Sequence, residues 1–294
     1  MLGVVNLDKP VGPTSHDMVG LLRRLTGTRR IGHAGTLDPL ASGVLPILVG
    51  AATRFSEELT GGRKRYDATI RLGARSATDD AEGPITPSEA TLPDPPSVHD
   101  ALATFVGTFD QRPPAFSARK HGGQTAHRAA RAGAPLDLAA RTVTVDAIDV
   151  LDIARHDGGL DVRIDLQCGP GTYVRSIARD LGDRLGCGAY LAALRRTEAA
   201  GLRADDAVTA DRLEQLTAEG RLAEALLPVG DLLPLPRVEL DAEAARRFTN
   251  GSAVPSTGDP GRAAVFAGSA LLGVGRFDGG LLHPEKVLPA VGSA

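Results

Sequence analysis

The stretch Gly32-His33-Ala34-Gly35-Thr36-Leu37-Asp38-Pro39-Leu40-Ala41-Ser42-Gly43-Val44-Leu45-Pro46 holds one carboxylate, Asp38, among turn-forming residues. Glycines at 32, 35 and 43 permit tight or left-handed backbone, and Pro39 restricts the residue before it. Val44, Leu45, Ile47, Leu48 and Val49 follow, so the loop leads into an element entering the core. One Asp held rigidly beside apolar residues suits a nucleophile or a general base. A turn Asp that hydrogen-bonds its own backbone gives the same pattern, and local chemistry leaves both readings open.

The whole chain narrows the classes. Its 294 residues suffice for one large domain and a small one. Apolar content of 42% and charged content of 23% are those of a soluble globular protein. There is no apolar run of about 18 residues, so no membrane helix is expected. The segment from Met1 to Pro10 lacks the basic-then-apolar order of a signal peptide, which predicts a cytoplasmic protein. Cys168, Cys187 and seven scattered histidines form neither a disulfide framework nor a zinc spacing. Chemistry without cofactor or metal is the expectation.

Net charge is −3, yet its distribution is uneven. Residues 1–75 carry eleven Lys and Arg against six Asp and Glu. Residues 76–110 carry seven acids and no Lys or Arg, and residues 111–144 return to six basic residues against Asp137. Such blocks fit a local phosphate-binding face as well as an ordinary mixed surface.

Four further stretches carry chemistry. Lys9-Pro10-x-Gly12-x-Thr14-Ser15 is a turn that opens a predicted helix running to about Leu25, with Ser15 as N-cap. Tyr66 to Leu72 alternates, predicting a half-buried strand with Tyr66, Ala68, Ile70 and Leu72 on one face. Cys168-Gly169-Pro170-Gly171-Thr172-Tyr173-Val174-Arg175-Ser176 is a Gly-rich turn opening a helix, and Leu191-Ala192-Ala193-Leu194-Arg195-Arg196-Thr197 follows downstream. Read alone, Tyr66 and Leu194 are also consistent with core packing, His33 with a structural hydrogen bond, and Asp79 with a turn.

These stretches together resemble the TruB family of tRNA pseudouridine synthases. The common forms are G-H-x-G-T-L-D-P-x-A-x-G-V-L, K-P-x-G-x-T-S, K-x-Y-x-A-x-x-x-L-G, C-S-x-G-T-Y-I/V-R-S-L and L-x-x-L-R-R-T, and they match over roughly residues 3–197. The resemblance makes Asp38 the nucleophile, sets Tyr66 against the uracil ring and pairs Arg175 with Asp38. It carries Tyr173 into the active site, gives Leu194 to the uracil pocket and makes His33 a residue that holds the RNA loop. Gln111-Arg112-Pro113-Pro114-Ala115-Phe116-Ser117-Ala118-Arg119-Lys120 is similar to the start of an RNA-gripping insert, about 111–141, in which Arg119, Lys120, Arg128 and Arg131 are phosphate ligands. Two departures stand out: His127 replaces a usual Tyr, and Gly169 replaces a usual Ser.

The implied fold is α+β, with a mixed, mainly antiparallel sheet, flanking helices and a central cleft over 1–230. A small β-rich module of the PUA type is expected over 231–294, a merely stabilising cap being the alternative. Other segments are a helix from Val98 to about Phe105 capped by Ser97, a loop over 84–97 and a hairpin of 142–151 with 160–166. The substrate implied is the T-arm stem-loop of tRNA, with uridine 55 the target, and the protein is expected to be a monomer. Without an N-terminal extension or basic tail, a stand-alone enzyme is favoured over a guide-RNA subunit. An intact Asp38, Tyr66 and Arg175 set favours an enzyme over a non-catalytic RNA-folding factor.

Overall fold

Lys64–Leu72 (β4) runs through the middle of a nine-stranded sheet, and its residues alternate between buried and half-buried from Tyr66 onward. The computed structural model describes residues 1–116, 120–121, 124–125, 136, 138–156 and 158–289, with backbone alone at 120–121 and 124–125. The other strands of this sheet are Gly3–Lys9 (β1), Ile31–His33 (β2), Ala41–Val49 (β3), Gly107–Gln111, Arg141–His156, Gly159–Cys168, Ala189–Ala199 and Leu202–Arg203. With the short pairs Ala74–Ser76 (β5) and Ile85–Pro87 (β6), and Lys120–His121 (β8) and Gln124–Thr125 (β9), they number β7, β10, β11, β12 and β13 in chain order. The order across the sheet is β1-β3-β12-β4-β11-β10-β7.

Every neighbouring pair is antiparallel except β3 with β12, where Leu194, Arg195 and Arg196 align with Ala41, Ser42 and Gly43. The mixed, mainly antiparallel sheet expected from the sequence is present. The β10–β11 hairpin is longer than its alternating core predicts, because pairing continues from Val145↔Cys168 to His156↔Gly159. One side of the sheet is covered by Ser15–Thr26, Pro95–Ala103 and Val174–Arg184, whose Leu22, Val98, Ile177 and Leu181 join Leu45, Ile70 and Ile164 in one core. Among the described residues no helix is long and apolar enough to cross a membrane.

Two helix starts differ from expectation. Thr14, not Ser15, caps the first helix, and Asp17 completes a capping box. Ser15 lies inside the helix, where its hydroxyl accepts from Leu37 N at 2.8 Å and donates to Leu37 O at 2.9 Å. Asp94, not Ser97, caps Pro95–Ala103, because a proline at the first helical position needs no backbone partner for its nitrogen. That helix ends at Ala103 rather than near Phe105, and residues 85–87 form strand β6 within the predicted loop.

Residues beyond 236 build a second sheet: Arg237–Glu239 (β14), Val254–Pro255 (β15), Gly261–Ala267 (β16), Ala270–Asp278 (β17) and Leu281–Val287 (β18). The helix Ala242–Thr249 packs on it through Ala245 and Phe248. This β-rich module shares a core with the first sheet, since Phe266, Val274 and Leu288 cluster with Val44, Leu48, Phe55 and Leu59. Leu233, in the segment that connects the two sheets, is buried in the same cluster.

Candidate active site

Asp38 sits where the loop after β2 turns toward β3, and several hydrogen bonds fix that loop. Ser15 holds Leu37 as described, Gly12 N donates to Pro39 O at 2.8 Å, and Ala41 N donates to Asp38 O at 3.0 Å. Arg196, 1% exposed, donates to Val44 O at 2.7 Å, Gly35 O at 3.0 Å and Thr36 O at 3.5 Å. Gly43 lies at φ +98°, where a side chain would collide with the Arg196 backbone, so glycine is required at this crossing. Lys9, wholly buried, donates to Pro10 O and Pro13 O at 2.8 Å each, so its head group pins the turn that leads into the first helix.

The Val174–Arg184 helix brings Arg175 to the carboxylate. Its guanidinium lies 2.9 Å from Asp38 and 3.4 Å from Asp80, and donates to Thr78 O at 3.3 Å. Asp80 is buried and accepts from the Thr78 hydroxyl and, at 3.1 Å, from Glu82 N. Asp79, at φ +62°, makes the turn and pairs with Arg179 at 3.1 Å. The start of the helix is held by Gln111, whose amide accepts from Tyr173 N at 2.8 Å and donates to Tyr173 O at 3.0 Å.

A cavity of about 300 Å³ opens beside this pair, walled by Asp38, Tyr66, Tyr173, Arg175, Leu194 and Arg196. Tyr66 is 6% exposed, and burial pushes its hydroxyl above the ordinary value, so it stays protonated. Loss of hydration in the cleft raises the Asp38 carboxyl above 3.8; Arg175 opposes this and Asp80 reinforces it. On the other side of Asp38 a second hollow is lined by His16, His33, Glu82 and Phe116. His33 has a buried Nδ1 without a hydrogen-bond partner, and burial lowers its pKa below 6.5, keeping the ring neutral. The hollow is therefore lined by a neutral imidazole whose buried Nδ1 has no partner among the described residues.

The sequence-predicted residues Asp38, Tyr66, Tyr173, Arg175 and Leu194 meet in one cavity, and His33 lies in the adjoining hollow. Arg119, His127, Arg128 and Arg131 lie outside the described residues, as does the side chain of Lys120. The substituted Gly169 is held by its N–H donating to Thr144 O at 2.8 Å and its carbonyl accepting from Thr172 at 3.1 Å.

Comparison with known proteins identifies the family. Residues 23–174 match the model of the TruB family pseudouridylate synthase N-terminal domain. The chain belongs to the TruB family of pseudouridine synthases. It is accordingly an isomerase acting on RNA. Residues 175–234 match a tRNA pseudouridylate synthase B C-terminal domain, and 236–288 the C-terminal domain of pseudouridine synthase II TruB. A Ralstonia nicotianae protein named tRNA pseudouridine synthase B is 43% identical, over 97% of this chain and 94% of that one. The Burkholderia mallei protein of the same name is also 43% identical, over 97% and 96%. In a crystal structure of a Cbf5-Nop10-Gar1 complex, one chain superposes with TM-score 0.75 at 28% identity, over 98% of this chain and 85% of that one. A chain of an archaeal box H/ACA sRNP Nop10-Cbf5 complex gives TM-score 0.74 at 26%, over 98% and 86%.

Three residues around the cavity are given no role of their own by the sequence. Asp80 reads as one more acid in a polar turn, Gln111 as the first residue of the stretch similar to the RNA-gripping insert, and Arg196 as the second arginine of the L-x-x-L-R-R-T match. Only a buried charge paired across the fold marks Asp80. Arg196 is marked by its place between β3 and β4, where alternation on β12 turns it inward while Arg195 reaches Asp8 at 2.9 Å.

Proposed function

We propose that the chain isomerises uridine to pseudouridine in the T-loop of tRNA, at position 55, with Asp38 as the nucleophile. The observation that carries this reading is the Asp38–Arg175 pair at the edge of a cavity with Tyr66 in its wall. That cavity is at the small end of ligand pockets, which suits one extruded nucleoside. The tRNA substrate rests on relatives bearing that name at 43% identity.

The reaction breaks the N1–C1′ bond, turns the uracil about and rejoins it through C5, so no atom is lost. A stacked loop hides its uridine, so the base must first swing outward. Glycosidases use two carboxyl groups because their leaving group departs with a proton. Here the leaving base stays bound and returns, and one carboxylate suffices. Arg175 orients Asp38 and favours its ionised form. Tyr66 lies against the ring, while Tyr173 and Leu194 close the pocket against water. His33 and the basic residues Arg119 and Lys120 hold the RNA outside it. Residues 1–230 then form the catalytic unit and 231–294 an RNA-binding module, in a cytoplasmic monomer.

The test is tritium release from a T-arm stem-loop labelled at uridine C5. Wild-type protein releases the label, whereas Asp38→Asn loses about 10⁴-fold or more in rate and still binds the RNA. Full activity of that variant would overturn Asp38 as nucleophile; no release by either protein, with binding retained, would favour a folding factor or another RNA.

A further inference from the structure

Arginines of the sheet face aspartates: Arg65 with Asp165, Arg71 with Asp161, Arg163 with Asp67 and Arg195 with Asp8. Arg175 has two such partners. Two other cations in the wall of the active cavity have none among the described residues. Lys64 donates only to the carbonyls of Thr60 at 2.9 Å and Gly62 at 2.8 Å. Arg196 donates to carbonyls of Gly35, Thr36 and Val44. They stand together: Lys64 is two residues before Tyr66 on one face of β4, and Arg196 is the in-register partner of Tyr66 on β12. Both reach Gly35, where an added Cβ would lie 3.5 Å from Arg196 Nη1 and 3.7 Å from Lys64 Cε. Asp38 thus bears the negative charge of the cavity, and the Lys64–Arg196 wall bears positive charge that no acid among the described residues neutralises.

The proposed reaction moves charge in that direction. If Asp38 attacks C1′, its oxygen bonds to C1′ while the N1–C1′ bond breaks, and the released pair spreads over N1, O2 and O4 of the ring. If it attacks C6, its oxygen bonds there and the C5–C6 π pair moves onto O4 as an enolate. By either route the carboxylate becomes a neutral ester and the uracil oxygens become anionic. A cation fixed in a dry pocket stabilises such charge far better than water does.

We propose that Lys64, backed by Arg196, is a catalytic residue that donates to a uracil carbonyl oxygen and takes up the charge leaving Asp38. This rests on the pseudouridine synthase reading of the cavity. Lys64 spends two of its three N–H groups on Thr60 and Gly62, which aims the head group and leaves one donor for substrate. Burial, reinforced by Arg196, brings its pKa down to about 8. The other titratable groups facing it are Tyr66 on β4 and Cys168 on β11, whose thiol burial pushes up to about 11. Lys64 therefore changes charge before Tyr66 and Cys168 as pH rises past neutrality, in the same range as Lys9, which lies behind the Asp38 loop and is brought down to about 8 by burial.

Single-turnover tritium release, RNA affinity and thermal unfolding are to be measured for wild type, Lys64→Gln and Lys64→Arg. The Gln variant is expected to lose about 10²-fold in rate, with RNA affinity changed less than about threefold. The Arg variant is expected to recover most of the rate, and its decline at alkaline pH is expected to lie above that of wild type. A Gln variant at wild-type rate overturns the proposal, as does an Arg variant no faster than Gln. A Gln variant slowed only as far as it is unfolded also overturns it. Absence of release by wild type would instead overturn the reading of the cavity, so the two failures are distinguishable.

Discussion

Arg175 and Asp38 are joined at 2.9 Å, yet the arginine side chain is 6% exposed and the aspartate side chain 40%. The pair is open on one side only. Arg175 is committed to protein partners at Asp38, Asp80 and Thr78, so it cannot follow a ligand into the cleft. Asp38 keeps a free face and can leave the pair to form a bond. The proposed nucleophile and its orienting group thus differ in exposure.

That geometry has a pH signature. Loss of hydration raises the Asp38 carboxyl above 3.8, Arg175 opposing and Asp80 adding to the rise. The proposed attack by Asp38 needs the ionised form, so the acid limb of kcat/KM is expected above pH 3.8. Asp80→Asn removes a repelling charge and leaves Arg175 to Asp38, so the limb moves to lower pH. The same sign holds for stability: the folded state binds this proton more tightly, so the Asp38 contribution is greatest at low pH and declines as pH rises through its folded value. Rate profiles of both proteins on the stem-loop check the limb, and an unmoved limb would assign it to another group.

Gly43→Ala probes the crossing of β3 and β12. At φ +98° the new Cβ is strained, and it also meets the Arg196 backbone. Strain and overpacking together are expected to cost about 3–5 kcal/mol. Because Arg196 holds the Asp38 loop, the rate should fall in the fraction that still folds. Urea unfolding midpoints measure the first effect and tritium release the second; a loss below about 1 kcal/mol would mean the crossing relaxes.

Glu58, on the short helix Ser56–Thr60, ties the first domain to the C-terminal sheet. It is 2% exposed and accepts from Arg262 and, at 2.8 Å, from Lys286 of the C-terminal module. Burial pushes its carboxyl up, but the hydrogen bonds from Lys286 and Arg262 outweigh this and hold it below 4.5. Its stabilisation is therefore fully present above pH 4.5 and is lost as pH falls through the folded value. Glu58→Gln leaves two cations short of a buried partner and is expected to cost about 3 kcal/mol at neutral pH. The difference from wild type should shrink below pH 4.5. Protease cleavage around 234–236 reads docking of the module directly, and equal cleavage of both proteins would show that apolar contacts alone hold it.

Much of the fold was legible in local pattern. Alternation at Tyr66, Ala68, Ile70 and Leu72 identifies β4, and the alternating segments around His156 to Gly159 identify the long hairpin. Helix caps were less legible, because Thr14 and Ser15 are both good caps. Only the fold shows that Ser15 is needed by Leu37. Ser97 fails for a similar reason: Asp94 is as good a cap, and the prolines at 95 and 96 favour the earlier start.

By itself the sequence determined the loop around Asp38, the strand that carries Tyr66 and the turn that carries Arg175. Each is encoded by residues within a few positions of one another: glycines for the turn, alternation for the strand. Only the tertiary structure decided that Asp80 shares Arg175 with Asp38, that Arg196 clamps the loop from β12, and that Lys64 faces the cavity with no counter-ion among the described residues. The physical reason is that backbone conformation follows near neighbours. Whether a charge is paired, sealed or left open to a ligand depends on which distant strand packs beside it.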